Sequence, residues 1–330
     1  MIKIGNIEVG EFPLLLAPME DVSDPPFRIL CKEMGADVVY TEFISVEGLI
    51  RNAHKSVQKL DIYDAERPVG IQIFGAEIES MREAARIVEE TGPEILDINY
   101  GCPVKKVTCK GAGAGILQEI DKMESMTREI VRSTQLPVTV KTRLGWDHNS
   151  IRIREVALRL QDAGIKALTI HGRTRAQMYK GEADWTLIGE LANDPDIEIP
   201  IFGNGDVNSP EKAHQMQLQY GVDGIMVGRA AIGYPWIFRE IRHYLQTGNH
   251  LPPPSIDERA QFCRRHLQMS VDWKGEVLGI LEMRRHYPNY FKGLPYFKPY
   301  RQKLVTSGDM TEILDTLSEI VENYVMEERV

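Results

Sequence analysis

Nothing in the 330 residues approaches the roughly 20 consecutive apolar positions of a membrane-spanning helix. The opening Met1-Ile2-Lys3-Ile4-Gly5 lacks the apolar core of a secretory leader. Cysteine is sparse: four residues, at 31, 102, 109 and 263, with no C-x-x-C pair. That excludes a disulfide framework and an obvious zinc set, and leads us to expect free thiols, a reducing cytoplasm, no metal and no membrane association. An excess of positive charge is also missing, since the net charge is −9. This argues against a polyanion binder that uses its whole surface, but leaves room for a local basic patch. No G-x-G-x-x-G follows the first apolar run, which weighs against an open dinucleotide-binding sheet.

What is present is a repeat of short apolar runs, spaced by roughly thirty residues. They are Leu14 to Pro18, Val38 to Thr41, Val69 to Ile73, Ile95 to Asn99, Val138 to Lys141, Ala167 to His171, Ile201 to Asn204 and Gly224 to Val227. They are rich in Val and Ile with little alternation, as strands buried on both faces should be. Amphipathic stretches such as Ile78 to Thr91, Met123 to Thr134 and Ile153 to Ala163 lie between them and suit crossover helices. Eight such units predict an α/β fold, a (β/α)8 TIM barrel, over residues 1–247.

A barrel places its chemistry at the carboxyl ends of its strands. At those ends stand Met19-Glu20, Glu42, Gln72, Asn99, Lys141, His171, Asn204-Gly205-Asp206 and Gly228-Arg229. Each alone reads as an ordinary loop or core group. Gathered on one rim, they point to a ligand site. Gly203-Asn204-Gly205-Asp206 and Gly228-Arg229 follow the last two strands, where barrels often hold a phosphate group. Gly111-Ala112-Gly113-Ala114-Gly115 reads as a flexible rim or as tight packing.

The fourth run ends in Asp97-Ile98-Asn99-Tyr100-Gly101-Cys102-Pro103. Pro103 biases Cys102 toward extended backbone, so the loop is stiff. The thiol is either a reactive group at the rim or a small buried hydrophobe, and this stretch alone supports both.

Pro252-Pro253-Pro254, within 248–255, marks a stiff linker. Beyond it, Arg259 to Met269, Val277 to Tyr287 and Thr311 to Met326 read as helices of a small all-α bundle over 256–330. Between Arg284 and Lys303 there is no Asp or Glu, and Tyr287, Tyr290, Phe291, Tyr296, Phe297 and Tyr300 are interleaved with basic residues. This suits a nucleic acid; alternatively the aromatics form the core of the bundle.

Taken together, Leu16 to Asp24, Asp97 to Val107, Lys141-Thr142-Arg143, His171 to Arg175, Asn204-Gly205-Asp206, Gly228-Arg229-Ala230 and Arg284-Arg285-His286 with Gly293 resemble the tRNA-dihydrouridine synthases, most of all their bacterial B-type branch. The resemblance covers essentially the whole chain. It implies an FMN-dependent oxidoreductase that reduces the C5–C6 bond of a uridine in tRNA, with NADPH as electron donor and a helical tRNA-binding domain after the barrel. It further implies Cys102 as proton donor to C5, and Pro18, Met19 and Glu20 along the isoalloxazine. Gln72 and Lys141 would meet the same ring, and His171, Asn204, Gly205, Asp206, Gly228 and Arg229 the ribityl chain and phosphate. We expect tRNA contacts from Asn99, Arg173 and Arg175 at the rim and from Arg284, Arg285, Lys292 and Arg301 in the tail, and we expect a monomer.

The sequence departs from that branch at Arg285-His286-Tyr287-Pro288, where a proline falls inside the expected helix and should end or kink it near Tyr287. Two rival readings stay open here: an FMN barrel acting on a free pyrimidine or another small molecule, and a non-catalytic RNA binder. The basic, aromatic tail disfavours the first, and a flavin rim disfavours the second.

Overall fold

The protein is described by a computed structural model over residues 1–327. A short antiparallel hairpin, β1 (Ile2–Ile4) and β2 (Ile7–Gly10), opens the chain. Eight parallel strands then form the barrel: β3 (Leu14–Leu16), β4 (Val39–Tyr40) extended by β5 (Ile44–Ser45), β6 (Val69–Phe74), β7 (Ile95–Tyr100), β8 (Val138–Arg143), β9 (Ala167–His171), β10 (Ile201–Asn204) and β11 (Gly224–Val227). Pairing runs in chain order, and β11 returns to β3. The ring closes where the Leu16 N–H donates to the Val38 carbonyl at 2.9 Å. All eight strands fall on the apolar runs of the sequence.

Helices α1 (Pro25–Glu33), α2 (Val46–Ile50), α3 (His54–Gln58), α4 (Ile78–Glu90), α5 (Lys105–Thr108), α6 (Ile120–Ser133), α7 (Ile153–Ala163), α8 (Thr186–Ala192), α9 (Pro210–Tyr220) and α10 (Ile237–Thr247) connect them. Their starts are written locally: Asp24 and Ser209 cap α1 and α9, with proline in the first turn of each. The hairpin was not foreseen, because its strands are too short to show a period. Its Ile4 and Val9 pack on Leu15, Val38, Ile95, Ala167 and Phe202 and plug the amino-terminal end of the barrel. Each such side chain contributes roughly 1.5–3 kcal/mol of burial. The carboxyl end is left open for a site.

The tail comprises α11 (Ile256–Lys274), α12 (Glu276–Met283), α13 (Tyr287–Tyr290), α14 (Lys298–Thr306) and α15 (Met310–Glu327). This corrects the single helix expected over Val277 to Tyr287. The chain leaves α12 at Met283, before the proline, and Pro288 sits in the first turn of α13, where no N–H is needed. Helix α14 was not foreseen in so aromatic a stretch, and Pro299 opens it in the same way.

The tail's core gathers Ile256, Cys263, Leu267, Ile280, Leu304, Ile313 and Leu317 around Tyr287, Tyr290, Phe291 and Trp236. The last of these precedes α10, so a residue from the barrel side fills the bundle. The interleaved aromatics therefore divide: Tyr287, Tyr290 and Phe291 are core, and Tyr296 is open to solvent. Bundle and barrel meet along α1. Phe27 stacks on His266 and tilts against His286, Lys274 pairs with Asp24 at 2.7 Å, and Arg285 pairs with Asp21 at 2.7 Å. No described helix is long and apolar enough to cross a membrane.

Candidate active site

Strand register builds the site. Gln72, Asp97 and Thr139 are partners across β6, β7 and β8, so they share one level of the barrel interior. One pleat higher, Asn99 of β7 faces Lys141 of β8. Nearest the mouth, Arg143 pairs with His171, and His171 with Asn204. Charged and amide groups thus replace Val and Ile on the inward face, in layers that rise toward the carboxyl ends.

The Cys102 loop leaves β7 under tight control. Asn99 Oδ1 accepts from the Gly101 and Cys102 N–H groups at 2.9 and 2.8 Å. Arg143 Nε donates to the Gly101 carbonyl at 2.7 Å, and its other arm holds the carbonyls of Thr174 and Met178. From outside, Gly113 packs against the loop; a methyl on it would lie 2.9 Å from the Cys102 carbonyl oxygen. At Gly113 and Gly115 the glycine run is tight packing, while Gly111 is open.

The far side is organised by one carboxylate. Asp206 accepts from Arg173 at 2.6 and 3.1 Å, from Arg229 at 2.9 Å and from the Ala183 N–H at 2.8 Å. Burial works against its charge, yet these donors hold the carboxyl below its ordinary range. The guanidinium groups of Arg143 and Arg229 both lie over the Tyr179 ring, at 5.6 and 5.2 Å.

These groups surround a cleft of about 640 Å³, within the range of small-molecule sites. Its apolar wall is Ala17, Pro18, Met19, Phe43 and Met226, and its polar groups are Lys141 on the floor with Arg143 and His171 nearer the mouth. Burial, reinforced by Arg143, brings the Lys141 ammonium down to about 7. Its hydrogen-bond partner is the neutral Asn204 Oδ1 at 3.0 Å, not a carboxylate. Burial together with Lys141 and Arg143 keeps His171 neutral, well below the ordinary histidine value. Burial pushes the Cys102 thiol up, so it holds its proton at neutral pH.

A flat, anionic cofactor fits this chemistry. An unpaired buried cation seeks negative charge, and the apolar wall suits an aromatic ring. A methyl added to Gly228 would project beside Ala17 and Met19, 3.5 and 3.7 Å away, into space the cleft leaves open.

Pro18, Met19, Glu20, Asn99, Cys102, Lys141, His171, Asn204, Gly205, Asp206, Gly228 and Arg229 all line this one cleft. Gln72 does not: it is fully buried beneath the floor, bonded to Asp97 and Asn99. Arg173 is buried behind Asp206. Arg175 lies over Trp146 and donates to Thr108. In the tail, Arg284 donates to the Thr306 and Ser307 carbonyls, and Arg285 is paired with Asp21. Arg301 and Lys292 are exposed. Lys292 faces a second cleft between barrel and bundle, which shares Asn208, Arg229, Ala230 and Ile232 with the first.

Arg143, Phe43 and Tyr179 were not singled out as site residues from the sequence. Arg143 carried a signal, since it lies two residues beyond Lys141 on one strand and must face the same way. Tyr179 lies in a loop and gave none.

A model of the family described as dihydrouridine synthase matches residues 15–325. The tRNA-dihydrouridine synthase B of Pseudomonas putida is 41% identical over 305 residues, covering 91% of this chain and 90% of its own. That of Escherichia coli K12 is 39% identical, covering 98% of this chain and 100% of its own. Among solved structures, a 2-naphthoyl-CoA reductase complex superposes with a TM-score of 0.57 at 13% identity over 73% of this chain and 51% of its own, a likeness of fold alone. Barrel and tail are both matched, and the chain belongs to the dihydrouridine synthase family.

Proposed function

We propose that this protein reduces the C5–C6 double bond of a uridine in tRNA, with FMN held in the barrel cleft and NADPH as electron donor. The observation that carries the reading is the pairing of a protonated Cys102 thiol with a carboxylate-free Lys141 on one cleft, in a chain of this family. Bound flavin would supply the hydride for C6. Lys141 would balance negative charge on the ring, Pro18, Met19 and Glu20 would line it, and His171, Asn204, Gly205, Gly228 and Arg229 would hold the ribityl chain and phosphate. Asp206 sets the Arg229 guanidinium from behind.

The chain's own chemistry is a proton transfer. Burial keeps the proton on Cys102 until a base carbon needs it, and the Val104 N–H and the Arg143 guanidinium favour the thiolate left behind. Arg143 and Tyr179, at the mouth, would lie beside an extruded base. Its unstacking costs a few kcal/mol, least in an unpaired tRNA loop. The second cleft, whose walls carry Arg229, Arg259 and Lys292 against Glu211 and Glu240, would take a polyanion running from the mouth to the bundle. No comparable feature favours a free pyrimidine as substrate.

The test is dihydrouridine formation in tRNA from a strain lacking this gene. Cys102→Ala should retain flavin absorbance and lose roughly 10²–10⁴ in turnover, the range of a missing general acid. Unchanged turnover in that variant would remove the thiol from the reaction.

A further inference from the structure

Beneath the cleft lies a chain of side chains that no step above uses. Asp97, fully interior, accepts from Thr139 Oγ1 and from Gln72 Nε2, each at 2.5 Å. Gln72 Oε1 accepts from Asn99 Nδ2 at 2.8 Å. Asn99 Oδ1 then accepts from the backbone N–H groups of Gly101 and Cys102.

Polarity makes this chain directional. An ionised carboxylate can only accept, so the amide end of Gln72 must face it. The oxygen of Gln72 must then point at Asn99, which turns the amide end of Asn99 inward and its oxygen toward the loop. Were either amide reversed, an N–H₂ group would meet another donor, leaving buried donors unpaired. Arg143 fixes the same loop through the Gly101 carbonyl, but it acts from the mouth and does not orient Asn99.

We propose that Asp97 is a positioning residue: through Gln72 and Asn99 it dictates which atom meets the Cys102 backbone, and so holds the thiol against the cleft. The proposal rests on the reading of Cys102 as the reacting thiol only for its consequence in turnover. The positioning itself is measured separately.

The measurement is alkylation of Cys102 by iodoacetamide in the flavin-loaded, full-length protein. A Cys109→Ser background removes the exposed thiol, while Cys31 and Cys263 are buried in the core. Gln72→Leu should speed Cys102 alkylation about tenfold or more, the change expected when a buried hydrogen-bond partner is lost. kcat should fall by a similar factor, with KM for tRNA unchanged. Asp97→Asn should give a smaller acceleration, because Thr139 can accept as well as donate. The decisive result is the double variant: adding Asp97→Asn to Gln72→Leu should change nothing further, since Asp97 acts only through Gln72. Additive acceleration overturns the proposal, as does an unchanged alkylation rate in Gln72→Leu.

If Gln72→Leu loses flavin, flavin-free wild-type protein is the reference, and equal alkylation rates in the two would assign the effect to the empty cleft and overturn the proposal. If Gln72→Leu fails to fold, Gln72→Glu keeps the shape and shares one proton with Asp97. Its alkylation rate, taken as a ratio to wild type at each pH, should rise with pH as that proton leaves, and a flat ratio above one overturns the proposal. Failure of Cys102→Ala to reduce turnover would instead remove the catalytic reading and leave the alkylation results standing.

Discussion

At the scale of single residues, burial shifts two groups of the cleft in opposite directions. Cys102 is pushed up and Lys141 is pulled down to about 7. The lysine makes the clearer prediction. An ordinary lysine titrates at 10.5, so between about pH 7 and 10.5 the unfolded chain binds a proton that the folded chain does not. Stability of the flavin-free protein should rise with pH through that window from this group. Below pH 7 both states are charged and the full cost of burying the ammonium is present. Lys141→Met should therefore raise the melting temperature of flavin-free protein most at pH 6 and progressively less toward pH 10, while weakening flavin binding. A uniform loss of stability in the variant would mean that the ammonium is well partnered.

Among secondary-structure elements, the loop after β7 is fixed by what packs outside it as well as by the network beneath. Gly113 has φ +54°, and a methyl there would lie 2.9 Å from the Cys102 carbonyl oxygen and 3.0 Å from the Cys102 Cβ. Gly111 has φ +76°, with nothing within 4 Å of an added methyl. Both alanine variants incur backbone strain of about 1–2 kcal/mol. Only Gly113→Ala adds overpacking of roughly 1–3 kcal/mol and displaces the thiol. Denaturant midpoints should show both losses, and turnover should fall for Gly113→Ala alone.

The sequence exposes this organisation unevenly. Buried parallel strands announce themselves as runs of Val and Ile, and their polar last residues mark the mouth. Register is not written in any one strand, so the alignment of Gln72, Asp97 and Thr139 on one level could not be read from it. Gln72 stood out as a rim residue because it is polar and near a strand end, yet it lies under the floor. Helix α14 was hidden by the aromatic residues before it and by its proline, which suits a first turn as well as a loop.

For the molecule as a whole, barrel and bundle share a core rather than merely a linker. Trp236 fills the bundle from the barrel side, and Phe27 of α1 lies against His266 and His286 of the bundle. Both imidazoles are neutral in the fold. Burial, with Lys274 nearby, takes His266 down to about 3, and burial beside His266 takes His286 well below its ordinary value. A depressed histidine stabilises the fold fully above its unfolded value of 6.5, and that stability is lost as pH falls below it. In the window from pH 5 to 4, His266 adds a slope of about 1.4 kcal/mol per pH unit to the unfolding free energy. His266→Phe keeps a ring against Phe27 and forfeits the hydrogen bond between His266 Nδ1 and the Tyr290 hydroxyl. It should lower stability at pH 7 by roughly 1 kcal/mol, yet flatten the acid slope by about 1.4 kcal/mol per pH unit. Urea titrations at pH 7, 5 and 4 measure both quantities. Because the shared core couples the two parts, each titration should show one transition by tryptophan fluorescence and by far-UV circular dichroism alike. An unchanged acid slope would mean that His266 is solvated, and two separated transitions would mean that the bundle unfolds without the barrel.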